Sequence, residues 1–174
     1  MIKPENLRIG DLVRVCYNCS LPEGTVCAVT EIDSETASRD KKGFVSLNFP
    51  DDNDDGPCWV WCCNIEGIHL TTEILENNGW EKKIFYVQLK KTVKEWYEYT
   101  LPGTDLIIDY RPYYTQTNER FTAYGDCFMI NHLEYVHELQ HILWVLGMDA
   151  EFKVQFKQST KSIREWERNN IYSR

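Results

Sequence analysis

The sequence predicts an α+β chain: an N-terminal SH3-like small β-barrel, then a small antiparallel sheet packed with one long C-terminal helix. Three observations carry this. Short alternating segments recur about every ten residues in the first third, separated by Gly, Asp and Pro, as in small barrels. Two aromatic-rich alternating segments, Ile84 to Leu89 and Val93 to Tyr99, follow in the middle. Near the end, LEYVHELQHILWVLG (Leu133 to Gly147) has a helical period. The expected organisation is a barrel over residues 1–68, the helix-and-sheet unit over 69–150, and a polar tail over 151–174.

In order, Leu7 to Val15 reads as a turn and a strand with Leu12, Val13 and Val15 apolar. Gly24 opens a second strand whose apolar residues fall in two registers, Val26 and Ala28, then Val29 and Ile32. A polar connection ending Lys41-Lys42-Gly43 leads to a third strand, Phe44 to Phe49, and Cys58 to Cys63 is the fourth. Between them Asp51-Asp52-Asn53-Asp54-Asp55-Gly56 resembles the first half of a calcium loop. Its twelfth position is Cys62, not Glu, so a solvated loop is the better reading. Thr71 caps a short helix that Asn77-Asn78-Gly79 stops. After the two aromatic segments, Leu106 to Tyr110 is a strand, and Phe121 to Met129 is a strand or an irregular lead-in to the last helix.

For that helix, about 100° per residue places Tyr135, Val136, Leu139, Ile142, Leu143 and Leu146 on an arc roughly 120° wide. Asn131 and Glu134 form a candidate capping box, and Gly147 supplies the left-handed stop. His137, His141, Glu134 and Glu138 fall opposite the apolar arc, on a face expected to meet solvent or another segment.

Nineteen basic and 27 acidic side chains give a net charge of −8. An acidic chain repels a phosphate backbone, so nucleic acid, which would be contacted through Lys41, Lys42, Lys90 and Lys91, is a disfavoured partner. The N-terminus MIKPENLRIG has no apolar signal core and no apolar run approaches the roughly 20 residues that span a bilayer. A cytoplasmic protein without membrane association is expected. The seven cysteines are an odd count, which suits free thiols. Cys16 and Cys19 have zinc-ligand spacing and Cys58 and Cys62 could complete a site, but no second C-x-x-C follows. Buried thiols acting as small hydrophobes are the preferred reading.

Three blocks carry a resemblance: Leu-Arg-Ile-Gly-Asp-Leu-Val near the start, Ile65-Glu-Gly-Ile-His-Leu-Thr-Thr-Glu-Ile-Leu-Glu-Asn-Asn-Gly-Trp80, and Glu134-Tyr-Val-His-Glu-Leu-Gln-His-Ile-Leu-Trp-Val-Leu-Gly147. Over roughly residues 5–150 the chain resembles a family of short uncharacterised proteins of gut Bacteroidetes, their phages and integrated elements. The resemblance implies a phage or mobile-element context and no particular reaction. Where that family shows His-Gln-Leu-Gln-Asn, this chain has His137-Glu138-Leu139-Gln140-His141.

H-E-x-x-H on a helix is a zinc-hydrolase pattern: His137 and His141 would bind the metal and Glu138 would act as general base. No third ligand follows at a usual spacing, and the histidines oppose the apolar arc. No metal or other cofactor is therefore expected, with zinc the alternative, and an enzyme is the lesser reading. Aromatic residues are more abundant than two small cores need. Trp59, Trp61, Trp96, Tyr110, Arg111, Tyr113 and Tyr114 are the candidate ligand-binding set. The expected function is a non-enzymatic binding protein, an accessory or anti-defence factor that binds a host protein or sequesters a small nucleotide. The alternative is a zinc-dependent hydrolase.

Overall fold

Alternation is what the backbone follows over most of this chain. The computed structural model describes residues 2–16, 21–33, 43–48, 58–89, 92–111 and 121–154. They form two five-stranded antiparallel sheets with little helix, so the protein is mostly β rather than the α+β fold expected. The described residues fall into two compact units, one within residues 1–68 together with Val154, the other His69–Lys153.

In the first unit the strands are β1 (Leu12–Val15), β2 (Val26–Asp33), β3 (Phe44–Asn48), β4 (Cys58–Trp61) and β5 (Ile65–Gly67), ordered β4-β3-β2-β1-β5. A 3-10 turn, Cys62–Asn64, joins β4 to β5, and among the described residues no pairing links those two strands directly. The core of this unit is built from inward positions: Val13 and Val15 of β1, Cys27 and Val29 of β2, Val45 and Leu47 of β3, Val60 of β4. Cys27 and Val29, rather than Val26 and Ala28, are the buried positions at the start of β2. The pairing with β3 shifts between Val29 and Glu31, and the extra residue lets Ile32 pack on the same core as Val29.

The second unit begins with α1 (Thr72–Asn77), capped where Thr71 Oγ1 accepts the Ile74 N–H at 3.2 Å. A left-handed Gly79 (φ 82°) follows it, a conformation glycine takes without a Cβ clash. Then come β6 (Glu81–Leu89), β7 (Thr92–Thr100), β8 (Ile107–Tyr110), β9 (Phe121–Gly125) and β10 (Phe128–Leu133), a meander in the order β10-β9-β8-β7-β6. Tyr99, Ile108 and Ala123 stand side by side across β7, β8 and β9 and are fully buried.

The last helix is also shorter than expected: α2 is ten residues, Val136–Val145. Leu133 pairs with Phe121 as the end of β10, and Asn131 lies within that strand, so neither starts the helix. Gly147 ends it with φ 72°, as its sequence position suggests. Among the described residues no helix is long and apolar enough to cross a membrane.

Candidate ligand-binding cleft

The ladder between β9 and β10 is regular from Phe128↔Gly125 to Ile130↔Ala123, then shifts before Leu133↔Phe121. The bulge falls on Asn131 and His132, and His132 takes a left-handed backbone (φ 68°) that non-glycine residues adopt at a cost. Past the bulge, residues of β10 and α2 together line a cleft of about 480 Å3. Phe128, Ile130 and Leu133 line it from the strand; Ile142, Val145 and Leu146 line it from the helix and its end. The polar lining is Asn131, His132, Glu138 and His141, with no Lys or Arg.

The cleft mouth is apolar. Ile130, Val145 and Leu146 are 40%, 70% and 43% exposed, and Met129 and Trp144 on the same two elements are 66% and 64% exposed. Single exposed apolar residues need no explanation; Ile130, Val145 and Leu146 gather on one concave, mostly apolar wall, which makes the cleft a candidate site.

The H-E-x-x-H residues divide their roles. Glu138 is the third residue of α2, and its Oε2 accepts the backbone N–H groups of Glu134 at 2.7 Å and Tyr135 at 3.0 Å. These donors have no partner inside a helix, and a carboxylate there is favoured by the helix dipole as well. The capping box is therefore one turn later than the Asn131–Glu134 pair that the sequence suggests. His137 is buried rather than on a solvated face, with its ring stacked on Tyr135 at 5.5 Å and set edge-on to His141 at 5.9 Å. His141 is half-buried and reaches the cleft. Among the described residues no three His, Cys, Asp or Glu side chains converge as a metal site.

Of the cysteine alternative, Cys19 lies outside the described residues. Cys16 and Cys58 are half-buried and Cys62 is buried. Burial, with the Glu66 carboxylate adding to it, pushes the Cys16 thiol up to about 11, and burial together with Cys63 does the same for Cys62. Cys62 packs in the core of the first unit with Cys58 partly buried against it.

The aromatic set separates. Trp59 and Trp61 belong to the first unit, on the outward side of β4, where Trp61 packs on Phe44 with ring centroids 3.5 Å apart. In the second unit Trp96 is sandwiched by Phe85 at 4.3 Å and the Arg111 guanidinium at 4.9 Å, so these two candidates do come together. Arg111 also pairs with the buried Asp109 at 2.5 Å. Tyr110 is on the opposite side of β8, buried and stacked between Tyr97 and Phe121, where it is part of the core. Tyr113 and Tyr114 lie outside the described residues, as do Lys41, Lys42, Lys90, Lys91 and the acidic loop from Asp51 to Gly56.

Sequence reasoning missed Ile130, His132, Val145 and Leu146 as site residues. The available signal was the unbroken apolar end of α2, Trp144-Val145-Leu146, wider than one buried face requires. Comparisons with protein-family models, curated proteins and solved structures each returned no match to this chain.

Proposed function

We propose that this chain is a non-enzymatic recognition protein whose second unit seats bulky apolar side chains of a protein partner in the β10–α2 cleft. The observation that carries the reading is the cleft itself: about 480 Å3, mostly apolar walls, and the exposed lining residues Ile130, Val145 and Leu146. That volume lies within the range of pockets that bury a ligand group. Clefts of this composition are occupied by Leu, Ile, Phe or Trp anchors more readily than by anions. A nucleotide has less support. The cleft offers no cation to a phosphate, and Arg111, the candidate cation in the sequence, is engaged by Asp109. The chain's charge of −8 favours a partner segment in which apolar anchors are flanked by Lys or Arg. An accessory role in a phage or mobile element, acting on a host protein, is consistent with the resemblance of the sequence blocks.

Panning a random peptide display library on the immobilised full chain tests this. Peptides with one or more bulky apolar anchors are expected to enrich, and to lose binding to a Val145→Glu/Leu146→Asp double variant that keeps its near-ultraviolet circular dichroism. No enrichment, or equal capture by the folded variant, overturns the reading.

A further inference from the structure

The outer strand of the second sheet, β6, is nine residues long, and its pairing with β7 runs unbroken from Glu81↔Thr100 to Leu89↔Thr92. The opposite edge, β10, is shorter and interrupted by the bulge at Asn131 and His132. Bulges, short length and charge are how natural sheets protect an edge from pairing with another chain. β6 carries its charges, Glu81, Lys82 and Lys83, at one end, and then the run Ile84-Phe85-Tyr86-Val87. Ile84 and Tyr86 are 46% and 65% exposed on one face, beside Val93 of β7 at 58%. Because β8 pairs only with Tyr97 to Thr100, the hairpin from Phe85↔Trp96 outward is a two-stranded ribbon among the described residues. Such a ribbon is marginally stable in water.

The backbone phase fixes what the edge can accept. Only two residues separate Leu89 from Thr92, so their pair exchanges hydrogen bonds. Alternation then directs the N–H and C=O groups of Ile84 and Tyr86 away from β7.

We propose that β6 pairs antiparallel with β6 of a second copy of this chain, about a two-fold axis at Phe85. This register opposes Ile84 with the second copy's Tyr86 in both directions, and their outward backbone groups exchange hydrogen bonds. The two Phe85 rings meet at a close, non-hydrogen-bonded position, each already stacked on its own Trp96. Lys83 faces Val87, which keeps the two Lys83 ammonium groups four residues, roughly 13 Å, apart along the strands. No like charges oppose one another, and the apolar run covers itself. Two five-stranded sheets become one of ten strands, and the marginal ribbon becomes four-stranded at its centre. This surface does not involve the cleft.

Light scattering on a size-exclusion column, with protein loaded from roughly 1 μM to 1 mM, reads the association. The full chain is expected to form a dimer. Phe85→Lys, which places two ammonium groups face to face, and Tyr86→Pro, which removes an outward N–H and no β6–β7 bond, are each expected to weaken it at least about a hundredfold. Far-ultraviolet spectra of both variants control for folding. A monomer across the whole range, or a dimer that survives both folded variants, overturns the proposal.

Discussion

Replacing Glu138 by alanine separates its two conceivable roles. The side chain accepts two backbone N–H groups through one oxygen, at 2.7 Å and 3.0 Å, at the start of a ten-residue helix. Losing a capping acceptor costs about 0.5–2 kcal/mol, and losing a negative charge from the first turn about 0.3–1 kcal/mol. These contributions overlap, because the hydrogen bonds are themselves charge-assisted, so Glu138→Ala is expected to cost about 1–2 kcal/mol. Hydrogen exchange of peptides spanning α2 reads this locally, which matters in a chain of two units whose global unfolding need not be two-state. A loss of 1–2 kcal/mol is a fall in protection of about 5- to 30-fold. Glu138→Gln retains an acceptor and loses the charge, so it should fall between the two. A Glu held for general-base catalysis predicts the opposite: α2 protection unchanged in both variants. That result would refute the capping argument and return the motif to hydrolysis.

At the β10 bulge, the left-handed His132 is expected to tolerate glycine, with stability in urea changing by less than about 1 kcal/mol, while His132→Val loses about 1–2 kcal/mol because a β-branched residue resists that backbone. An unchanged midpoint for the valine variant would contradict the backbone assignment. Timed alkylation at pH 8 should modify the exposed Cys127 before Cys16 and Cys62. A thiol raised to about 11 presents about a hundredfold fewer thiolates than one at the ordinary 9.0, so mass spectrometry of early time points should find those two unmodified.

The strands were legible where a single inward face decides the pattern. Val13 and Val15 alternate cleanly and are buried; Thr71 and Gly79 bracket α1 by cap and stop chemistry that works at short range. Legibility failed where an element's neighbour, not its own period, sets the outcome. FMINHL in β10 has no alternation, since Met129, Ile130, Asn131 and His132 are all exposed and only the bulged pairing with β9 defines the strand. A helix read through that segment gains an N-cap at Asn131 and a Glu three residues on, a sound local pattern that the ladder overrides.

The candidate site shows the same limit from the other side. A helical wheel assumes one packing surface, and on it the histidines oppose the core. In the folded unit α2 buries Val136, Leu139, Ile142 and Leu143, and also His137 and Gln140. The chain after the helix accounts for part of this. Met148 N–H donates to the Leu143 carbonyl at 2.9 Å, and Gln140 Nε2 donates to the Ala150 carbonyl at 3.1 Å, which holds the following segment against the helix. His137 stays covered by Tyr135, and Glu138 turns back to the helix start. The catalytic look of H-E-x-x-H depends on three side chains sharing one open face. Here the first His is covered by a stacked ring, and one oxygen of the Glu is engaged by the backbone at the helix start, while Glu138 and His141 both line the cleft as polar groups in a mostly apolar wall.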